Sequence, residues 1–243
     1  MKNYYIISFR KCGSTQDVAK EFIEKGLRDG TVVICEEMSE GRGRKGRKWI
    51  AEKGGLWLTL IRSPPSGRGM HLVGLAAGLA VAATIRDLFP QINPCVKWPN
   101  DVYLNGKKLA GILTEAQQIG NSLRFLFVGV GVNLNNEAPF PSSISLKDIV
   151  KEEVDTEVFL HRFLERFGKY YDLVLKGLQN ELVNEVKKVS CDIGKYVKII
   201  KEGEVVSGTV LDIGDDGSLI LEVDGKTISV LEGDVTHVRY VST

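Results

Sequence analysis

Five basic side chains and three glycines alternate through Gly41-Arg42-Gly43-Arg44-Lys45-Gly46-Arg47-Lys48-Trp49. Such a stretch makes neither a good helix nor a good strand. Glycine lets a backbone come close to a ligand, and guanidinium forks match phosphate and carboxylate oxygens. The stretch is therefore read as a mobile anion-binding loop. A basic patch beside an aromatic on which a nucleobase stacks is the other reading. A nucleic-acid footprint spreads basic charge along a face, however, and this chain carries a net charge of only +1.

Three more stretches could carry chemistry. Val96-Lys97-Trp98-Pro99-Asn100-Asp101 leaves a strand through a turn. A lysine with amide and carboxylate side chains at one strand end suits a nucleotide and its Mg²⁺, although Pro-Asn-Asp is also ordinary turn chemistry. Asn105-Gly106 turns a hairpin whose return strand, Lys107-Lys108-Leu109-Ala110-Gly111-Ile112-Leu113-Thr114-Glu115, carries lysine at its mouth. In Gly129-Val130-Gly131-Val132-Asn133-Leu134-Asn135 the glycines bare a strand backbone to something close by. No G-x-x-G helix start follows, which excludes the dinucleotide fingerprint.

The elements that must hold these stretches alternate. An opening strand precedes Ser14-Thr15-Gln16-Asp17, a capping-box-like helix start. Strands are predicted over 31–35, 56–62, 95–97, 101–104, 110–116 and 123–132, with an apolar helix over 72–89. Gly74 and Gly78 in that helix read as a tightly packed face. Its apolar stretch, 72–85, is shorter than the ~20 residues that cross a bilayer. Phe159, Leu160, Phe163, Leu164, Phe167, Tyr170, Tyr171 and Val174 recur at helical spacing as core, and a further helix covers 178–189. Short β-rich runs over 196–200, 205–213, 219–223, 227–231 and 235–241, punctuated by Glu202-Gly203, Asp215-Asp216-Gly217, Asp224-Gly225 and Glu232-Gly233, form a small SH3-like barrel. The division expected is 1–190 and 191–243.

Composition narrows the class. Of 243 residues, 43% are hydrophobic and 26% charged, which excludes collagen-like and disordered chains. From Cys191 onward there are five Lys and Arg against ten Asp and Glu, so this segment is acidic and the first 190 residues are basic by +6. Cys12, Cys35, Cys95 and Cys191 lie far apart with no C-x-x-C, which reads as reduced cytosolic thiols and no structural metal. The N-terminal segment lacks the pattern of a secretory signal.

In this order, Ser14-Thr15, GRGRKGRKW, KWPND, KLAGILTE, GVGVN and the terminal Gly233-Asp234-Val235-Thr236-His237-Val238-Arg239 make nearly the whole chain resemble the biotin protein ligases. The resemblance implies an α+β, class II synthetase-like catalytic domain with mixed sheet and helices, plus the SH3-like barrel. It implies activation of biotin by ATP to biotinyl-5′-AMP, then transfer to a lysine of a biotin carboxyl carrier protein. ATP with Mg²⁺, the metal near Asp101, is implied; a prosthetic group or covalent enzyme intermediate is not. The segment before the first strand holds no helix-turn-helix pattern, so the monofunctional type is expected, cytoplasmic, homodimeric and without DNA or membrane partners. The strand at 129–133 or a sheet edge is the expected dimer contact.

By matching position the resemblance makes Arg44 and Lys108 catalytic. It places Ser14, Thr15, Gln16, Met38, Gly41, Arg42, Gly43, Arg44, Lys108, Gly129 and Gly131 around biotin. Arg44, Arg47, Lys97, Asn100, Asp101, Lys108 and Asn133 go to ATP, with Trp49 stacking on adenine. Three positions depart from the family pattern: Met38 stands for the usual glutamine, Glu40 for a small residue, and Gln16 for asparagine. They bear on which acid is activated. A lipoate or octanoate ligase is the alternative, although those ligases lack GRGRKGRKW and this short barrel tail. A non-enzymatic nucleic-acid binder is the second alternative, and the acidic tail speaks against it.

Overall fold

The computed structural model describes residues 4–26, 28–65, 69–119, 122–201 and 203–238. Glu202, Arg239 and the last residues of the run expected over 235–241 lie outside them. Strand β1 (Tyr5–Cys12), helix α1 (Thr15–Glu24) and strand β2 (Thr31–Met38) make the opening unit, with β1 parallel to β2. Ser14 caps α1, its hydroxyl accepting from the Gln16 amide at 3.3 Å. Strands β3 (Leu56–Arg62), β4 (Cys95–Lys97), β5 (Asp101–Leu104), β6 (Lys107–Ile119) and β7 (Ser122–Val132) complete a seven-stranded sheet ordered β1-β2-β3-β7-β6-β5-β4. All seven residues of β3 are buried, as a strand covered on both faces requires.

One face carries α1, packed through Ala19 on Val33, Ile61 and Phe127. The other carries α2 (Met70–Leu88), α4 (Thr156–Leu175) and α5 (Gln179–Lys187) around the main core. Helix α2 is long and apolar enough to cross a membrane, but it is apolar all round because sheet and helices enclose it, 13 of its 19 residues being buried. Gly78 faces Val96 and Ile112, and Gly74 faces the Pro99 carbonyl; a Cβ at Gly74 would lie 3.5 Å from that oxygen. The small-residue face thus seats the turn at 98–101. A short helix that periodicity did not signal, α3 (Leu146–Val150), is set by a Ser145/Asp148 capping box.

A five-stranded antiparallel sheet follows: β8 (Tyr196–Lys201), β9 (Glu204–Ile213), β10 (Leu219–Val223), β11 (Lys226–Val230) and β12 (Asp234–His237), in the order β11-β10-β9-β8-β12. It is fastened to the turn at 98–101. The Trp98 indole donates to the Gly217 carbonyl (2.8 Å) and the Trp98 amide to Asp192 Oδ2 (2.7 Å). Asp192 is fully buried, and its other oxygen lies 2.7 Å from His237 Nε2.

Two expectations are corrected here. Cys95 and Cys191 are not reduced thiols; they form a disulfide, leaving Cys12 and Cys35 free. A spacing of 96 residues hid the pair, which the parallel bridge between Val96 and Ser190 brings to a Cα separation of 5.3 Å. The strand at 129–133 is not available as a subunit contact either, because β7 is hydrogen-bonded between β3 and β6. The sheet edges are β1 and β4.

Candidate active site

Strand register builds the floor of a cavity. Gly131 pairs with Trp57 of β3 and Gly111 of β6, and Gly129 pairs with Thr59 and Leu113. Side chains alternate along a strand, so these glycines clear one patch of one sheet face. The Trp49 indole lies across Gly111 and Gly131: a Cβ at Gly131 would sit 2.8 Å from three ring atoms. Gln16 fills the space over Gly129, where a Cβ would lie 2.8 Å from its Nε2. The N-terminus of α1 closes this end, Thr59 donating its hydroxyl hydrogen to Thr15 Oγ1 (2.9 Å). Met38, at the end of β2, accepts the Thr15 amide on its sulfur (3.4 Å).

The cavity has a volume of about 230 Å³ and is lined by every residue expected from the sequence except Gly41 and Lys97. Gly41 is buried beneath the Trp49 carbonyl, which a Cβ would meet at 2.4 Å, so it shapes the loop instead. Lys97 turns to Tyr103, its Nζ 4.7 Å from the ring centre and 3.5 Å from the hydroxyl. Burial lowers the Lys97 ammonium below its ordinary value against the pull of Asp192 and Asp101, and burial foremost, with Asp101 and Asp192, pushes the Tyr103 phenol up to about 12. Glu40 is exposed and lies by Gly13, away from the cavity lining.

Charge is uneven. Arg42, Arg44, Arg47, Lys48 and Lys108 stand against Asp101 and Asp234, five cations to two carboxylates, so the cavity attracts an anion. The loop over 41–49 has one 3₁₀ turn, Arg44–Gly46, with Lys45 at φ 56°. Carboxylates contact it at both shoulders. Arg42 forks onto Asp17 (2.6 and 2.5 Å), and this hydrogen bonding lowers the Asp17 carboxyl below its usual range. On the other side Lys45 (3.2 Å) and Arg47 bond to Asp234 Oδ2, with Arg44 3.8 Å from its Oδ1. Burial raises the Asp234 carboxyl, but Lys45 and Arg47 outweigh it and bring it below the ordinary value. Arg44 also donates to Asn100 Oδ1 (3.2 Å) and the Gly233 carbonyl (3.3 Å).

Lys108 stands at the centre. Its backbone is locked by Ser142 and Ile144 (2.9 and 3.0 Å). Its Nζ is 2.7 Å from Asp101 Oδ1 and 5.4 Å from the centre of the Trp49 ring. Asp101 pairs with Gly111 across β5 and β6, and Asn100 is fixed by its Nδ2 donating to the Ile112 carbonyl (2.6 Å). A divalent cation fits here in one way. The described residues hold no cluster of three or more His, Cys, Asp or Glu side chains. Asp101, ion-paired through Oδ1 to Lys108 Nζ, offers one carboxylate ligand, which is what Mg²⁺ takes when substrate phosphates supply the rest.

Sequence reasoning missed Asp234, which belongs to the quoted GDV segment but has no pattern marking it for the loop. It also missed Pro139, Phe140 and Ser143, which line the cavity from an irregular segment with no motif.

Fold and site define a class of protein. The chain belongs to the biotin/lipoate A/B protein ligase family, whose model matches residues 9–133. Within it the chain falls among the biotin protein ligases, residues 192–238 matching the biotin protein ligase C terminal domain. It is 34% identical over 221 residues to a biotin--[acetyl-CoA-carboxylase] ligase of Mycobacterium tuberculosis (87% of this chain, 80% of that one). It is 32% identical over 233 residues to the bifunctional ligase/repressor BirA of Bacillus subtilis (91% and 70%). The solved biotin protein ligase of Aquifex aeolicus in complex with biotin and ATP superposes with a TM-score of 0.84 at 26% identity, covering 97% of this chain and 99% of that one.

Proposed function

We propose that this chain activates biotin with ATP, releasing pyrophosphate and forming biotinyl-5′-AMP, and then transfers the biotinyl group to a lysine of a biotin carboxyl carrier protein. The observation that carries the reading is the single cavity in which Lys108 and Arg44 adjoin a glycine-floored pocket ending in the uncharged polar groups of Ser14, Thr15 and Gln16. A neutral donor-acceptor ring is bound by hydrogen bonds, whereas a carboxylate meeting a phosphate needs cations.

The biotin carboxylate attacks the α-phosphorus and pyrophosphate leaves. Two anions approach and charge builds on the phosphate oxygens, so Lys108 and Arg44 stabilise the transition state more than the separated reactants. Mg²⁺, when bound, neutralises phosphate charge, and Asp101 is the residue to hold it. Asn100 and Asn133 lie toward the nucleotide, and Trp49 offers an apolar face for adenine. The loop over 41–49 shields the mixed anhydride from water. The neutral amine of the acceptor lysine then attacks the acyl carbon, AMP leaves and the amine gives up a proton as the amide forms, with no nucleophile from the enzyme itself.

The enzyme is proposed to work as a cytoplasmic homodimer, without DNA or membrane partners; β1, an edge strand of the sheet among the described residues, supports pairing of copies. Light scattering of the purified protein with and without biotin tests that state. The test of function is ATP–pyrophosphate exchange with Mg²⁺ and biotin, lipoate, octanoate or no acid. Exchange dependent on biotin is expected. Exchange with lipoate or octanoate alone would move the protein to the other branch of its family, and no exchange with any acid would refute the reading.

A further inference from the structure

Strand β12 is the edge of the small sheet, paired with β8 alone among the described strands. Each of its ends contacts a segment that bears on the cavity. At one end the Gly233 carbonyl accepts from Arg44 (3.3 Å), and Asp234 meets Lys45 (3.2 Å) and Arg47. At the other end His237 Nε2 lies 2.7 Å from Oδ1 of the fully buried Asp192. A carboxylate oxygen only accepts, so Nε2 carries the hydrogen and donates it. His237 is not among the residues that line the cavity.

Asp192 is fixed from behind. Cys191, the residue before it, is bonded to Cys95, and the Cys191 amide donates to the Val96 carbonyl (2.9 Å). With the backbone held there, the direction of the carboxylate is set by its two partners, the Trp98 amide on Oδ2 (2.7 Å) and His237 on Oδ1. Trp98 opens the turn at the end of β4, beyond the last ladder pair of that strand, Lys97 with Asp101. The carboxylate therefore takes the place of a strand partner for its amide. Two residues on, the turn delivers Asn100 Oδ1 to Arg44 (3.2 Å), and the next residue brings Asp101 Oδ1 to Lys108 Nζ (2.7 Å).

We propose that His237 is a positioning residue for the nucleotide: by aiming the Asp192 carboxylate at the Trp98 amide, it sets where Asn100 and Asp101 stand against Arg44 and Lys108. The inference rests on the biotin-activating reading above. His237 touches no reacting group, so it acts only through this chain of contacts. The other end of the cavity is held without β12, by Thr59 on Thr15 (2.9 Å) and by Gln16 on the Leu113 carbonyl (2.9 Å). Loss of the His237 contact therefore falls on ATP and spares the acid. Misplacing a catalytic group by about 1 Å costs up to about 10²-fold, and a turn that keeps its other contacts shifts by less, so a loss of about fivefold is expected.

The test compares the full chain with His237→Gln, whose amide nitrogen reaches the position of Nε2, and His237→Asn, whose amide is one methylene too short. In pyrophosphate exchange His237→Asn should raise the ATP KM about fivefold with the biotin KM unchanged, and His237→Gln should stay within about twofold of the unmutated enzyme. A merely structural role would move both KM values together and would not be rescued by the longer amide. Hydrogen exchange read by mass spectrometry, without substrates, should quicken over 98–101 in His237→Asn but not over 15–18 at the start of α1. The proposal is overturned if the ATP KM does not rise, if both KM values rise alike, if His237→Gln is as impaired as His237→Asn, or if exchange over 98–101 is unchanged. Should His237→Asn not fold, His237→Thr, a residue suited to a strand and too short to reach Asp192, takes its place. Failure of biotin to support pyrophosphate exchange in the unmutated chain would refute the proposed function, and the hydrogen-exchange comparison would still decide whether His237 holds the turn.

Discussion

Asp234 brings a carboxylate from β12 into a cluster of three loop cations, and Asp234→Asn removes that charge while keeping the shape. Arg44 lies 3.8 Å from the carboxylate, Lys45 3.2 Å, and Arg47 is hydrogen-bonded to it. A nucleotide triphosphate entering the cavity competes with Asp234 for the same side chains. Pairs at this degree of exposure contribute about 0.2–1 kcal/mol each. Arg47 is 65% exposed and Lys45 48%, so both sit at the low end of that range, and Arg44, 25% exposed, adds a longer contact. The sum is about 1 kcal/mol, or roughly a fivefold fall in the ATP KM of Asp234→Asn. The assay is pyrophosphate exchange at saturating biotin in low salt. Repeating it at 1 M salt, where the screening length is about 3 Å, should shrink the difference. The Asp234 carboxyl is held below its ordinary value, so its grip on the loop is complete above the unfolded carboxylate range and lost as pH falls through the depressed value. The effect should therefore be constant between about pH 6 and 8. A higher ATP KM in Asp234→Asn at low salt would refute the competition argument.

Other perturbations separate the remaining roles. Arg44→Ala should form adenylate but lose hold of it, so quenched-flow sampling should find free biotinyl-5′-AMP in solution; retention equal to the unmutated enzyme would contradict a holding role. Lys108→Ala should cut the adenylation rate by about 10²–10³, the cost of removing one group that stabilises transition-state charge, measured by single-turnover exchange, while thermal unfolding shifts little. Asp17→Asn unties Arg42 from α1; limited proteolysis over 42–48 should quicken, with global stability changed by less than about 1 kcal/mol for so exposed a pair. Because the Asp17 carboxyl is lowered in the fold, that pair's contribution is present above pH ~4 and disappears as pH falls through the depressed value, which acid titration of the proteolysis rate can follow. Asp192→Ala leaves the Trp98 amide and His237 without their buried partner and should cost about 2–4 kcal/mol by urea unfolding.

The sequence alone determined what is written locally. Periodicity placed α2 and α4, the Asn105-Gly106 turn fixed the hairpin that presents Lys108, and the alternation of glycine with basic residues marked the anion loop. Each signal lies within about twenty consecutive residues, the range over which backbone preference and burial pattern act. What only the tertiary structure decided depends on contacts between distant segments. Cys95 meets Cys191 because β4 lies beside residue 190. Lys97 leaves the cavity because burial and Tyr103 claim it. The glycines of β7 admit the Trp49 ring and Gln16 because pairing with β3 and β6 sets which face they clear. Asp234 reaches the loop across 187 residues, as measured to Arg47, a distance over which no local pattern carries information and only the packed fold supplies the charge.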